Sequence, residues 1–137
     1  MALPNGRKAL RSYGTMSYAG LLSFIYADLK KDDPRVVAAL DWLKSNYTLD
    51  ENPGLERQGL YYYFNLMTKG LSAAGVRELQ LSDGRKVNWI NDLSLKLINL
   101  QKQDGSWVND NARWMEKDPV LVTSYCVMAL EVLFHQL

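Results

Sequence analysis

The chain has 137 residues, of which 47% are apolar and 11% are aromatic. A single domain of this length and composition can bury a hydrophobic core, which excludes a disordered chain. Sixteen basic and fifteen acidic side chains leave a net charge of +1. This balance gives no electrostatic reason to expect a nucleic acid or an anionic membrane surface as a partner.

The sequence shows few signs of export, membrane insertion or metal binding. No stretch reaches the ~18 consecutive apolar residues that suggest a membrane-spanning helix. The first eight residues, MALPNGRK, have no apolar segment after their charges, so we expect no signal peptide in this chain. The compartment is then cytoplasmic by default, although a longer form of the chain could carry a signal for export. The single cysteine, Cys126, excludes an internal disulfide and a multi-thiolate zinc site.

Five helical segments are predicted along the chain, and they alternate between two kinds. Residues 15–29, 58–74 and 119–135 are apolar almost all round, and such helices must be buried on most sides. Residues 34–47 and 88–103 repeat their apolar positions at spacings of three and four, which is typical of a helix with one face in water. The alternation predicts helical hairpins in two layers, with the apolar helices inside.

The helix boundaries carry recognisable signals. Asp33-Pro34 and Asp118-Pro119 each place an N-cap acceptor before a proline at the first helical position. Gly75 and Gly105 stand where helices are expected to end.

A small hairpin interrupts the helical pattern between residues 76 and 88. The sequence alternates on both sides of Asp83-Gly84, which predicts two short strands joined by a tight turn. The predicted inner helices begin near residues 15, 58 and 120, so their starts are 43 and 62 residues apart. Without the insertion, both spacings approach the ~45 residues of paired-helix repeats.

The segment LQKQDGSW, residues 100–107, is the strongest local motif. We interpret it as a helix stop in which Gly105 adopts a positive φ. The amide of Gln101 or Gln103 is then free to bind backbone groups that the helix end leaves without partners. The ring of Trp107 is expected to stack against a glutamine amide or the next helix. The motif residues are Gln101, Gln103, Asp104, Gly105 and Trp107.

This motif resembles the glutamine–tryptophan repeat of squalene-hopene and oxidosqualene cyclases, and more loosely that of protein prenyltransferase β-subunits. The resemblance implies an all-α fold: an α/α-toroid segment of about five helices with a small β-hairpin insertion. Residues 41–54 occupy the place of the preceding copy but lack its glutamine and terminal tryptophan. The rings of this family contain more helices than are predicted here. Residues 1–137 are therefore expected to be a single repeat domain that is a fragment or one part of a larger ring.

The catalytic residues of the family have no counterpart in this chain. Its cyclases use an Asp-x-Asp-Asp acid cluster, whereas residues 30–34, KKDDP, lack the first aspartate and fit a helix cap. Its prenyltransferases bind zinc through aspartate, cysteine and histidine. Here Cys126 and His135 are nine residues apart on one predicted helix, so they face opposite sides. We expect no metal site and no cofactor, and we assign no catalytic residue.

Several aromatic and polar side chains are candidates for a ligand site. The aromatic run 61–64 covers three faces of an inner helix, so at least one ring is expected to reach a central cavity. The alternative is that these rings fill the space between the layers. The loop before the last helix either presents Trp114 at the cavity rim or buries it beneath the loop while Asp118 caps the helix. The candidate ligand-binding residues are Tyr18, Glu56, Gln58, Tyr61, Tyr62, Arg113, Trp114, Glu116 and Tyr125.

Three functional hypotheses remain open at this point. The first is a cyclase- or prenyltransferase-like repeat domain that binds a small apolar ligand in an aromatic-lined concavity without a catalytic acid. The second is a non-catalytic structural or protein-interaction scaffold. The third is a polysaccharide-active α/α barrel that binds a sugar-like ligand, for which Glu116 and Asp118 are the candidate acid pair. Two amphipathic helices cannot cover the apolar surface of three apolar ones. We therefore also expect self-association or a missing part of the same ring.

Overall fold

The computed structural model describes residues 10–137. Within them lie five α-helices and one two-stranded antiparallel hairpin, which confirms the predicted all-α fold with a small hairpin. The elements are α1 (Gly14–Tyr26), α2 (Pro34–Ser45), α3 (Leu60–Ala73), β1 (Leu79–Gln80), β2 (Lys86–Val87), α4 (Trp89–Leu100) and α5 (Pro119–Gln136). A short 3-10 helix, Arg113–Met115, precedes α5. Residues 1–8, on which the signal-peptide expectation rests, lie outside the described residues.

The apolar helices form one layer with α3 in its middle. Helix α3 packs against α1 on one side and α5 on the other, while α2 packs on α1 and α4 packs on α5. The segments around α2 and α4 are joined, because the Tyr47 hydroxyl donates to Asp92 at 3.4 Å and Lys96 pairs with Asp50 at 2.7 Å. Helices α2 and α4 thus lie on the same side of the apolar layer.

Burial differs sharply between the middle and the edge of this layer. Ten of the fourteen residues of α3 are buried, but only four of the eighteen residues of α5 are. Helix α1 buries four of its thirteen residues. The prediction that every apolar helix is buried on most sides is therefore right for α3 and wrong for α1 and α5. The reason is position: α1 and α5 end the layer, and within residues 10–137 α5 packs on α3 and α4 and on no helix beyond them. Val127 and Phe134 of α5 are 54% and 72% exposed.

Helix α5 also qualifies the expectation that the chain has no membrane-spanning segment. Among residues 10–137 it is the one helix that is long and apolar enough to cross a bilayer. The criterion of ~18 consecutive apolar residues does not detect this helix, because Thr123, Ser124 and Glu131 interrupt its apolar run. A core helix of a globular protein meets the same criterion.

The predicted helix caps are confirmed. The carboxylates of Asp33 and Asp118 accept from the backbone N–H groups of Arg35 and Val120, each at 2.9 Å. Gly75 follows α3 with a φ of +65°.

The motif at residues 100–107 closes the end of α4. The helix ends at Leu100, earlier than the predicted residue 103, and Gly105 lies in the turn that follows, with a φ of +85°. The Trp107 indole donates to the Leu97 carbonyl at 2.8 Å, which satisfies one of the acceptors left free in the last helical turn. The Gln101 amide donates to the Gly105 carbonyl at 2.9 Å. Within the motif, Asp104 accepts from both the backbone N–H and the hydroxyl of Ser106, whereas Gln103 is exposed.

Candidate functional site

A cavity of about 440 Å³ opens at the end of the apolar layer where α1 and α3 begin. Four aromatic side chains line it: Tyr13, Tyr62, Trp114 and Tyr125. The Tyr62 and Tyr125 rings form one wall, with their centroids 5.4 Å apart and their planes inclined by 46°. This contact joins α3 to α5, so the cavity depends on the packing of the layer.

A second wall is formed by the loop before α5. Trp114 and Met115 line the cavity there, and Leu55 and Met16 complete its apolar surface. The Arg113 guanidinium lies 4.7 Å from the centre of the Trp114 ring, within the range of a cation–π contact. Trp114 is 60% exposed, so it is a rim residue and is not buried beneath its loop.

The backbone of this wall is strained. Trp114 and Met115 have φ angles of +60° and +63°, which bulky side chains rarely adopt. Such conformations cost of order 1–3 kcal/mol each and persist only where the surroundings enforce them. Trp114 also approaches the start of α3 closely, because a Cβ at Gly59 would be 3.3 Å from its Cδ1 atom.

Glu116 anchors the strained segment to α3. Its side chain has no exposed surface. Its carboxylate accepts from the backbone N–H groups of Tyr61 at 3.3 Å and Tyr62 at 2.8 Å, and from the Asn109 amide at 2.7 Å. These bonds satisfy donors at the N-terminus of α3, where a negative charge is also favoured by the helix dipole. No ion pair among residues 10–137 includes Glu116.

Asn52 has the corresponding place beside α1. Its side-chain oxygen accepts from the Thr15 N–H at 3.0 Å, and its amide donates to the Thr15 hydroxyl at 2.8 Å and the Gln58 carbonyl at 2.9 Å. Asn52 and Thr15 are polar residues in the cavity lining, and these groups bond to the protein itself. The cavity thus presents mainly apolar surface. In both loops, a polar side chain reaches back to the start of the preceding apolar helix.

The structure brings together three of the predicted ligand-binding residues: Tyr62, Trp114 and Tyr125. Tyr18 does not face the cavity, because it is fully buried with its ring 5.6 Å from that of Tyr63. Burial raises the pKa of the Tyr18 hydroxyl well above its ordinary value. Tyr61 is also buried, and burial raises its pKa to about 12. The two tyrosines therefore belong to the core.

The remaining predicted residues do not line the cavity but lie beside it. The Glu56 side chain is exposed, and its backbone carbonyl accepts from the Asn52 N–H. Gln58 holds the Asn52 amide through its own carbonyl. Arg113 lies over the Trp114 ring and is otherwise exposed.

Glu116 and Asp118 do not form an acid pair open to a substrate. Glu116 is buried against the start of α3, and Asp118 caps α5. Both carboxylates are occupied by backbone N–H groups, for the physical reason that each lies at a helix N-terminus. Glu116 and Asp118 therefore do not supply the acid pair that would favour the polysaccharide hypothesis.

Sequence reasoning missed several cavity residues. Tyr13, Met16, Leu55 and Met115 carry no motif, and their side chains meet only because the loops fold over the start of the layer. The Asn52-Pro53-Gly54 turn was a usable signal for Asn52, since such turns often place a side-chain amide against backbone groups.

Neither Cys126 nor His135 lines the cavity. Burial raises the pKa of the Cys126 thiol to about 12, and the nearby Glu116 carboxylate raises it further in the same direction. The thiol is therefore protonated at neutral pH and is a poor nucleophile. His135 is exposed near the end of α5. Within residues 10–137, no three His, Cys, Asp or Glu side chains are grouped to hold a metal ion.

Comparison of the chain with protein-family models, with curated proteins and with solved structures yields no match.

Proposed function

We propose that this chain is a helical-repeat domain that binds an apolar ligand in the aromatic cavity and carries no catalytic acid of its own. One observation carries the proposal: four aromatic side chains and two methionines surround a cavity of about 440 Å³. Pockets of this size, predominantly apolar with a few polar groups, are typical of small-molecule sites.

The polar groups of the cavity favour an apolar ligand over a sugar. Among residues 10–137, no charged side chain is part of the cavity lining, and Thr15 and Asn52 bond to each other. Apart from the hydroxyls of Tyr13, Tyr62 and Tyr125, the lining offers a sugar few free hydrogen-bonding groups, and each sugar hydroxyl left unsatisfied costs about 1–3 kcal/mol. An isoprenoid or similar hydrocarbon loses no hydrogen bond on entering.

The resemblance to squalene cyclase-type repeats belongs to the same proposal. It is supported by the alternating helices and by the segment at residues 100–107, in which Trp107 and Gln101 bond to backbone carbonyls at the end of α4. In this interpretation the chain is one part of a larger ring, and the uncovered side of α5 faces the next helical hairpin.

Titration with farnesol, a hydrocarbon-rich isoprenoid alcohol, tests the proposal, with cellohexaose as the sugar probe. We expect farnesol to bind and, by removing water from the exposed Trp114 ring, to shift the tryptophan emission to shorter wavelength. Replacing Tyr62 or Trp114 by leucine removes apolar contact surface, and a loss of about 20–60 Å² costs about 0.5–1.5 kcal/mol. The affinity should then fall by roughly 2- to 12-fold, since about 1.4 kcal/mol is tenfold. Because Trp114 is itself a fluorophore, calorimetry provides the affinities.

The matched control is Tyr26→Leu, which removes an exposed aromatic ring of α1 that is not part of the cavity lining. Its affinity for farnesol should equal that of the unaltered chain. Equal weakening by all three substitutions, or the absence of farnesol binding, would contradict the proposal. Binding of cellohexaose alone would favour the polysaccharide hypothesis.

A scaffold that associates with further helices is a second candidate, and the exposed apolar side chains at the α4–α5 edge favour it. Leu95 and Ile98 of α4 are exposed, as are Val127 and Phe134 of α5. Several exposed apolar side chains on two neighbouring helices are typical of an interaction site. We propose that this edge mediates self-association when no other partner covers it.

Light scattering coupled to size-exclusion chromatography tests the second candidate. We expect the unaltered chain to form oligomers at high concentration and Val127→Lys to dissociate them. The control is Ala38→Lys, which places the same charge on an exposed position of α2. A stable monomer at high concentration would reject self-association, and equal dissociation by both variants would reject the α5 edge as its site.

A further inference from the structure

Glu116 occupies a special place between the two walls of the cavity. Its main chain continues directly from Trp114 and Met115, which form one wall, and its carboxylate binds the N–H of Tyr62, which belongs to the other. A single buried side chain therefore spans the two surfaces that a ligand would contact.

The set of donors around Glu116 requires a carboxylate. Three N–H groups, those of Tyr61, Tyr62 and the Asn109 side chain, point at its two oxygens. An ionised carboxylate is acceptor-only and can receive all three, whereas a glutamine offers one oxygen and turns an NH₂ group towards the donors. Glutamine has nearly the same shape, so its substitution tests this charge and acceptor pattern specifically.

The equivalent position beside α1 shows what a neutral side chain does there. Asn52 accepts one bond and donates two, which matches the mixed set of groups around it. Apart from glycines, its loop contains one residue with a positive φ, Glu56, and the side chain of Glu56 is exposed. Beside α3, by contrast, the loop holds Trp114 and Met115 in the left-handed region with their side chains in the cavity wall.

We propose that Glu116 is the positioning residue of the aromatic cavity: its carboxylate sets the separation of Trp114 from Tyr62. Removal of the carboxylate releases the start of α3 and allows the strained segment to relax away from it. The consequence for ligand affinity rests on the proposed function, but the consequence for the position of Trp114 does not.

Fluorine NMR of chain labelled with 5-fluorotryptophan tests the position of Trp114. The four tryptophans give four resonances, and Trp114→Phe assigns the one of interest. We expect Glu116→Gln to move the Trp114 resonance and leave those of Trp89 and Trp107, which lie in the core, in place. The matched control is Glu131→Gln, which removes the same charge from an exposed position of α5 and should move none of them.

Glu116→Asp provides a milder change if the glutamine variant does not fold. The aspartate keeps the charge but is one methylene shorter, so we expect a smaller displacement of the same resonance. An unmoved Trp114 resonance in either folded variant would overturn the proposal. So would equal displacement of the Trp89 and Trp107 resonances, because that result indicates a general loss of structure.

Farnesol calorimetry on the same variants separates this proposal from the proposed function. We expect the affinity of Glu116→Gln to fall by about 10-fold, and that of Glu131→Gln to stay unchanged. A displaced Trp114 resonance without farnesol binding in any variant would support the positioning role and reject the apolar-ligand function. A displaced resonance with unchanged farnesol affinity would overturn the link between the position of Trp114 and binding.

Discussion

Helices α3 and α5 have similarly apolar sequences but very different surroundings. Helix α3 has neighbours on both sides in its layer and buries ten of its fourteen residues, whereas α5 ends the layer and buries four of eighteen. Apolar composition therefore shows what a helix is able to bury, while its place in the layer determines what it does bury. This difference also separates the core that stabilises the chain from the edge that is open to a partner.

The same contrast applies to the two sides of one helix. In α5, Cys126, Ala129 and Leu133 are buried, while Val127 and Phe134 on the neighbouring face are exposed. An edge helix of this kind is stabilised by one face only, so substitutions on its other face should have little effect on a monomer.

The largest effect is expected from truncating the same side chain in the two helices. Phe64 in α3 is buried and contacts the rings of Tyr61 and Tyr63, so Phe64→Ala should lower the free energy of unfolding by about 3–5 kcal/mol. Phe134→Ala in α5 removes an exposed ring and should cost no more than about 0.5 kcal/mol in the monomer. Urea unfolding at low protein concentration measures both. Similar losses of unfolding free energy at the two positions would contradict the assignment of α3 to the middle of the layer and α5 to its edge.

A pair of glycines in α1 should give the next largest effect. A Cβ at Gly14 would lie 2.6 Å from both Pro53 and Tyr63, so Gly14→Ala should destabilise the chain by about 1–3 kcal/mol. A Cβ at Gly20 would meet nothing within 4 Å, and Gly20→Ala should stabilise the helix by about 0.5–1 kcal/mol. Thermal unfolding of the two variants gives the signs. A stabilising Gly14→Ala would show that α1 is not packed as described.

Much of the fold could be predicted from the sequence, because the signals for it are local. Asp33-Pro34 and Asp118-Pro119 fixed two helix starts, and the Asp83-Gly84 turn indicated the hairpin. The exposure of α5 could not be predicted, since it depends on which helices are neighbours. The prediction extended α4 to residue 103, near Gly105, whereas the backbone leaves the helix after Leu100 with Gln101 in an extended conformation.

The cavity could be predicted only in part, for a geometric reason. Tyr61, Tyr62 and Tyr63 follow one another at 100° intervals, so the sequence indicates that one ring reaches the cavity without showing which. The structure selects Tyr62. Glu116 was a candidate for its position in a rim loop, but its contacts with Tyr61 and Tyr62, more than fifty residues away in sequence, carry no local signal.

A chemical test distinguishes the two faces of α5 in the unaltered chain, where no effect on stability is expected, and only its control replaces a core side chain. Because burial raises the pKa of Cys126 to about 12, its thiol stays protonated at pH 8 and should react slowly with iodoacetamide. The control is Ser124→Cys in a Cys126→Ala background, which places a thiol on the exposed face. It should react at the rate of a free thiol, and raising the pH towards 12 should narrow the difference. Equal rates at pH 8 would show that Cys126 is not buried.

Hydrogen exchange of the backbone amides tests most directly whether α3 is the middle of the layer and α5 its edge. In dilute, monomeric chain, the account predicts that α3 exchanges only through global unfolding, while α5 exchanges faster through local opening. Equal protection of the two helices in the monomer, or faster exchange in α3 than in α5, would contradict it.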